Sequence, residues 1–306
     1  MLYLRPNWAV GKRLLTPAKC KLLYVNVMQT ATERSLLPGE QSPSHRQGDS
    51  VENMQTLTVK DVTLTFGGLN ALTNVNMAIE PGLITSIIGP NGAGKTSMLN
   101  CISGFYHPTS GEIHYGETRL SHASPHAVSN MGIARAFQNI ELFKGMTVLD
   151  NLLLARHKHL DYSFLGAVFF SPKTSRVEAE NRAYVEDVID FMELEPYRKS
   201  TVGNLAYGVQ KRVEVARALT LGPELLLLDE PMAGMNIEEK EDMVRFTMDI
   251  QKERNTTVIL VEHDLGVVMD ISDRIYVLDF GELIGSGTPE EVAKNERVIE
   301  AYIGEE

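Results

Sequence analysis

Gly89-Pro90-Asn91-Gly92-Ala93-Gly94-Lys95-Thr96 is the stretch from which the rest of this chain can be read. It fits the spacing G-x-x-x-x-G-K-[ST], an aliphatic run at 84–88 leads into it, and a helical pattern leaves it from Thr96. Glycines at these positions let successive backbone N–H groups turn inward around phosphate oxygens. Lys95 is then placed to reach the β- and γ-oxygens, and the Thr96 hydroxyl to ligate magnesium. The bland alternative, a glycine-rich turn, would have to match this spacing between strand and helix by chance.

Moving outward, four leucines at 225–228 run directly into Asp229-Glu230. Two carboxylates at the end of a buried strand lie where open α/β sheets bind ligands. Asp229 is expected in the shell of the magnesium ion. Glu230 is expected to polarise an attacking water, because phosphoryl transfer asks the protein mainly for positioning and charge stabilisation. A third aliphatic run at 258–261 leads to Glu262-His263-Asp264, so the His263 imidazole can reach the same sheet edge and the γ-phosphate. His107, His114, His122 and His126 lack such a setting and read as loop or surface residues. Gln138, in Ala134-Arg135-Ala136-Phe137-Gln138-Asn139, carries an amide able to touch magnesium or water. Phe66 ends a strand before Gly67-Gly68 and offers a ring face to adenine or to the core. Leu205-Ala206-Tyr207-Gly208-Val209-Gln210 opens the helical run 211–219, whose N-terminus is a second anion site. One chain with two phosphate-binding devices implies that two chains sandwich each nucleotide.

Composition sets the limits. A chain of 306 residues, 43% hydrophobic, is long enough for a sizeable core, and a formal charge of −11 argues against a nucleic-acid partner. No run approaches the roughly 18 apolar residues of a membrane helix. Cys20 and Cys101 follow no metal or redox spacing, and Cys101 reads as a reduced thiol in an apolar helix. Residues 1–53 show no strong period and no export signal; Met54 stands just before the first patterned strand. That segment is expected to be an extension, disordered or a misread start, and 54–306 the domain proper.

From Leu57 the pattern alternates through Val59, Val62, Leu64 and Phe66, with one slip at Lys60-Asp61 that a bulge would absorb. Half-buried antiparallel strands follow from it. The unbroken runs at 84–88, 225–228 and 258–261 instead suit parallel strands covered on both faces. From 128 to about 197 the pattern is mostly helical, interrupted by 163–170 and Pro172.

This set, in this order, resembles the nucleotide-binding subunits of ABC transporters from about Leu57 to the C-terminus. The resemblance implies an α/β P-loop NTPase fold with a RecA-like core, an antiparallel β subdomain and an α-helical subdomain. It assigns Phe66 to adenine stacking, Gly89, Pro90, Asn91, Gly92, Ala93, Gly94, Lys95 and Thr96 to Walker A, and Gln138 to the Q-loop. Asp229 and Glu230 end Walker B, Ala206, Tyr207 and Gly208 lie in the signature, 233–236 form the D-loop, and His263 is the switch histidine. The usual signature reads LSGGQ; here Ala206 replaces the serine and Val209 the glutamine. A serine contact to a γ-phosphate is therefore missing, and a specialised site is expected opposite this signature.

Within that family, Phe66-Gly67-Gly68, Gly104-Phe105-Tyr106, the 134–143 segment and Ala301-Tyr302-Ile303-Gly304 are similar to the branched-chain amino-acid importer group. That likeness implies ATP and Mg2+ as ligands, permease subunits in the membrane, a second and different ATPase subunit, and a periplasmic binding protein. It also implies a peripheral place on the cytoplasmic face of the inner membrane. Related systems take up urea, amides or aromatic acids. A lipid exporter or a non-transport ATPase of the superfamily is the remoter alternative, the latter needing a coiled-coil insertion or two cassettes that the sequence lacks.

Overall fold

The computed structural model describes residues 55–156 and 172–303. The extension 1–53 and the interruption at 163–170 lie outside the described residues. Strands β1 (Leu57–Phe66), β2 (Leu69–Ile79), β4 (Ser110–Tyr115) and β5 (Thr118–Arg119) form an antiparallel sheet in the order β2-β1-β4-β5. Leu57, Val59, Val62 and Leu64 are its buried side. The slip is where the alternation broke: register shifts separate Val59 from Val62 and Lys60 from Thr63, and Asp61 takes a left-handed φ of 50°. Asn76 caps the irregularity, its Oδ1 accepting from Asp61 N–H at 3.0 Å and its Nδ2 donating to Asp61 Oδ1 at 3.0 Å.

The second sheet runs β10-β9-β3-β8-β7-β6, built from β3 (Ile84–Ile88), β6 (Ile133–Ala136), β7 (Leu225–Asp229), β8 (Thr257–Val261), β9 (Arg274–Asp279) and β10 (Glu282–Gly287). All neighbours in it are parallel except β9 and β10. Its aliphatic strands are buried on both faces. Leu226, Leu228, Val258 and Leu260 join the core shared with the helices, whereas Leu225, Leu227, Ile259 and Val261 join the core under the antiparallel sheet. Each such leucine contributes roughly 2–3 kcal/mol of burial.

Helices α1 (Lys95–Ile102), α2 (Pro125–Asn130), α3 (Val148–Arg156), α4 (Pro172–Phe191), α5 (Tyr207–Leu219), α6 (Ile237–Glu253), α7 (Leu265–Ile271), α8 (Pro289–Val292) and α9 (Glu296–Ile303) complete the described chain. Two expectations need correcting. The stretch from 128 is not simply helical, because β6 sits inside it; four residues are too few to show a period, and pairing with β7 decides their state. Pro172 is the first described residue of α4, where its missing N–H costs nothing. His114 likewise lies in β4, half-buried and bonded to Glu112, and not in a loop. Cys101 is buried in α1, and that burial pushes its thiol up to about 12, as suits an unreactive core cysteine. No helix among the described residues is long and apolar enough to cross a membrane.

Candidate functional site

The site follows from strand order. β3, β8, β7 and β6 are consecutive and parallel, so the segments leaving their C-terminal ends share one sheet edge. β3 delivers the glycine-rich loop, β7 delivers Asp229-Glu230, β8 delivers His263, and β6 delivers Gln138.

Two glycines hold the loop's shape. Gly89 has φ 149°, and a Cβ there would lie 2.0 Å from the Leu278 carbonyl; Gly94 has φ 102°, and a Cβ would lie 2.6 Å from the Ala71 carbonyl. The loop is thus pressed against β9 and β2 on its outer side. Around Gly92, by contrast, a Cβ meets nothing within 4 Å. Lys95 is buried, and its Nζ donates to the Gly89 and Pro90 carbonyls at 2.7 and 2.8 Å. The cation therefore sits inside the curve of the loop. Gly94 caps α1 without a side-chain bond and no acid lies in the first turn, so the helix N-terminus keeps its positive character. Thr96 is exposed beside it.

Glu230 is the convergence point. His263 Nε2 bonds Glu230 Oε1 at 2.5 Å, and Gln138 Nε2 donates to Glu230 Oε2 at 2.7 Å. Three residues separated by 92 and 33 positions meet on one carboxylate. Glu230 also has φ 49°, a conformation that costs a non-glycine residue roughly 1–3 kcal/mol, and its N–H is fixed to the Val261 carbonyl at 2.9 Å. Asp229 is buried. Its Oδ2 accepts from Arg135 Nη2 at 2.6 Å, while Oδ1 has no hydrogen-bond partner among the described residues.

The donors fit a nucleotide with Mg2+. Thr96, Gln138 and Asp229 all offer oxygen, the ligand type this small hard cation takes, and the orphaned Asp229 Oδ1 is the kind of atom a metal or its water satisfies.

Three participants were not singled out from the sequence. Arg135 bridges Asp229 to α1, its Nη1 donating to Asn100 Oδ1 at 2.7 Å and Ser103 Oγ at 3.1 Å. Glu262 is buried and accepts from Met232 N–H at 2.9 Å and His263 N–H at 3.2 Å; burial pushes its carboxyl above the usual range. Lys211 is 1% exposed, and its Nζ donates to the Gln138 carbonyl at 2.5 Å. None of the three carries a local signal, since the state of 133–136 comes from pairing with β7 and the burial of the other two from the fold.

The remaining sequence candidates lie elsewhere. Phe66 is half-exposed at the β1–β2 turn, edge-on to Tyr106 with centroids 5.1 Å apart. Ala206 caps α5 without a side-chain bond. Gly208 is buried, and a Cβ on it would stand 2.3 Å from Glu239 Oε1, the end of a side chain that would have to move aside. Tyr207 packs over Gly234, where a Cβ would approach its ring at 3.2 Å. Tyr207 and Gly208 therefore rest on α6 and the turn before it.

The sequence profile described as ABC transporter matches residues 72–233, and that described as branched-chain amino acid ATP-binding cassette transporter matches 282–306. The high-affinity branched-chain amino acid transport ATP-binding protein BraF of Pseudomonas aeruginosa is 42% identical over 249 residues, covering 81% of this chain and 98% of that protein. Among solved structures, the ADP conformation of an ATP-binding cassette of an ABC transporter superposes with TM-score 0.71 at 31% identity, covering 82% of this chain and all of that one. A dimeric, post-hydrolysis ATP-binding cassette bound to ADP and Pi gives TM-score 0.64 at 27% identity, covering 76% and 98%.

Proposed function

This chain belongs to the ABC transporter ATPase family and binds and hydrolyses ATP for transport, and we propose that the transporter it powers imports branched-chain amino acids. The match of the C-terminal 282–306 to the branched-chain profile and the name of its relative support that cargo. The observation that carries the mechanism is the Glu230 carboxylate held between Gln138 and His263 beside the glycine-rich loop.

In this reading, backbone N–H groups of 89–96 and Lys95 bind the β- and γ-phosphates, and Phe66 stacks on adenine. Thr96, Gln138 and Asp229 would hold Mg2+, which neutralises charge on the phosphate oxygens when bound. Glu230 orients and polarises the attacking water. His263 keeps the carboxylate aimed and lies within reach of the γ-phosphate. Residues 206–208 serve nucleotide bound to a partner chain through the N–H groups at the start of α5, since Ala206 brings no hydroxyl.

ABC ATPases work with permease subunits in the membrane. For this chain we add a second, different ATPase, a periplasmic binding protein upstream, and a position on the cytoplasmic face of the inner membrane. Equilibrium ATP binding by the isolated chain tests the nucleotide site. Wild type should bind, with binding weakened by chelating Mg2+ and lost in Lys95→Ala; unchanged binding in Lys95→Ala would overturn the assignment.

A further inference from the structure

Helix α5 begins at the signature residues, yet its charged side chains reach the segment that follows β6. Lys211, Glu214 and Arg217 are spaced three apart and lie along one face. Lys211 Nζ donates to the Gln138 carbonyl at 2.5 Å and lies 3.5 Å from the Glu230 carbonyl. Arg217 Nη1 donates to the Glu141 carbonyl at 2.5 Å, and its Nη2 to Glu214 Oε1 at 2.8 Å. Glu214 is buried with its Oε2 unbonded among the described residues. Burial pushes its carboxyl up, opposed by Arg217 and then by the main-chain N–H groups of Glu141 and Phe137. Burial likewise pushes the Lys211 ammonium down, against the pull of Glu214, Glu262, Glu230 and Asp229.

Stability gives no reason for this arrangement. Each buried ion costs several kcal/mol to desolvate, and apolar residues of similar size in such places are often neutral or stabilising. Lys211 is a fully buried cation whose close partner is a main-chain carbonyl. The residue it holds is the one whose amide reaches Glu230. Gln138 is thus fixed at both ends, its carbonyl by α5 and its side chain by the carboxylate.

We propose that Lys211 is a positioning residue for hydrolysis: by holding the Gln138 carbonyl it sets the amide that aligns Glu230. The inference rests on the assignment of Glu230 and Gln138 above. Of the two carbonyls Lys211 approaches, that of Gln138 at 2.5 Å is nearer than that of Glu230 at 3.5 Å, so its effect passes chiefly through Gln138.

The test uses the assembled transporter, with permeases and partner ATPase, and compares wild type, Lys211→Met, Lys211→Arg, Gln138→Ala and the double variant Lys211→Met/Gln138→Ala. Lys211→Met should lower kcat about tenfold while KM for ATP stays within about twofold, and ATP binding by the isolated chain should be unchanged. Lys211→Arg, which restores a donor, should return kcat to within about threefold of wild type. In the Gln138→Ala background, Lys211→Met should cost little further. Lys211→Met leaves the Gln138 carbonyl without its donor, so its melting temperature should fall modestly, and Lys211→Arg should recover it.

Wild-type kcat in Lys211→Met, or a loss that simply multiplies with that of Gln138→Ala, would overturn the inference while leaving the reading of Glu230 intact. Joint loss of kcat, ATP affinity and melting temperature without rescue by Lys211→Arg would assign Lys211 a purely structural role and also overturn it. Should Lys211→Met not fold, Lys211→Gln takes its place in the cycle under the same criteria. An assembled wild type without ATP hydrolysis would instead overturn the underlying reading, and the inference with it.

Discussion

Glu230→Gln separates binding from turnover, and the structure sets the size of both effects. The substitution keeps shape and volume while removing one negative charge and turning one acceptor into a donor. In the wild type both carboxylate oxygens accept, one from His263 and one from Gln138. After the change, the new amide can keep its oxygen on the Gln138 NH2 and turn its own NH2 to His263, whose Nε2 accepts in the other neutral tautomer, so both bonds survive, the Gln138 oxygen stays available to Mg2+, and the fold should lose no more than about 1 kcal/mol. The loss in rate is larger. Without the carboxylate the water is neither oriented nor polarised, an effect worth about a hundredfold, or roughly 2.7 kcal/mol of barrier. Steady-state phosphate release by the assembled transporter, alongside ATP affinity and melting temperature of the isolated chain, measures all three quantities. Affinity and melting temperature should stay near wild type while hydrolysis falls at least a hundredfold. Hydrolysis within twofold of wild type would refute the role given to Glu230.

Gly89→Ala should destabilise the fold by roughly 2–3 kcal/mol in chemical denaturation and abolish ATP binding, since its Cβ would stand 2.0 Å from the Leu278 carbonyl. Gly92→Ala, with φ 83° and open space, should cost only about 1 kcal/mol, so equal losses would contradict the packing described for the loop. Ala206→Ser supplies the missing cap of α5 and should raise stability by about 1 kcal/mol, or roughly 2–4 °C in melting temperature. A lower melting temperature in this variant would show that Ala206 is not a cap position.

Much of this arrangement was open to a reading of the bare sequence because its strongest signals are local. The glycine loop, the leucine run into Asp229-Glu230 and the slip at Lys60-Asp61 each carry their meaning within a few residues. What escaped depends on contacts between distant segments. β6 is too short to show a period, and its state comes from pairing with β7. Nothing beside Glu262 or Lys211 in the sequence marks them as buried; the fold places them near Glu230. For Gly208, read as a point of close approach for phosphate, the fold adds a neighbour no local pattern announces, the Glu239 carboxylate of the same chain. The capping box of α6, in which Asn236 and Glu239 satisfy each other's backbone, places that carboxylate there.

Uptake of radiolabelled leucine tests the central claim most directly. The permeases, the partner ATPase and this chain are reconstituted in vesicles with MgATP on the side of the ATPases, and the binding protein charged with leucine is supplied on the other. Wild type should accumulate leucine, with isoleucine and valine competing and urea, amides and aromatic acids not, and Glu230→Gln should abolish uptake. Uptake that persists in Glu230→Gln, or ATP hydrolysis indifferent to branched-chain amino acids while urea or an aromatic acid is carried, would contradict it.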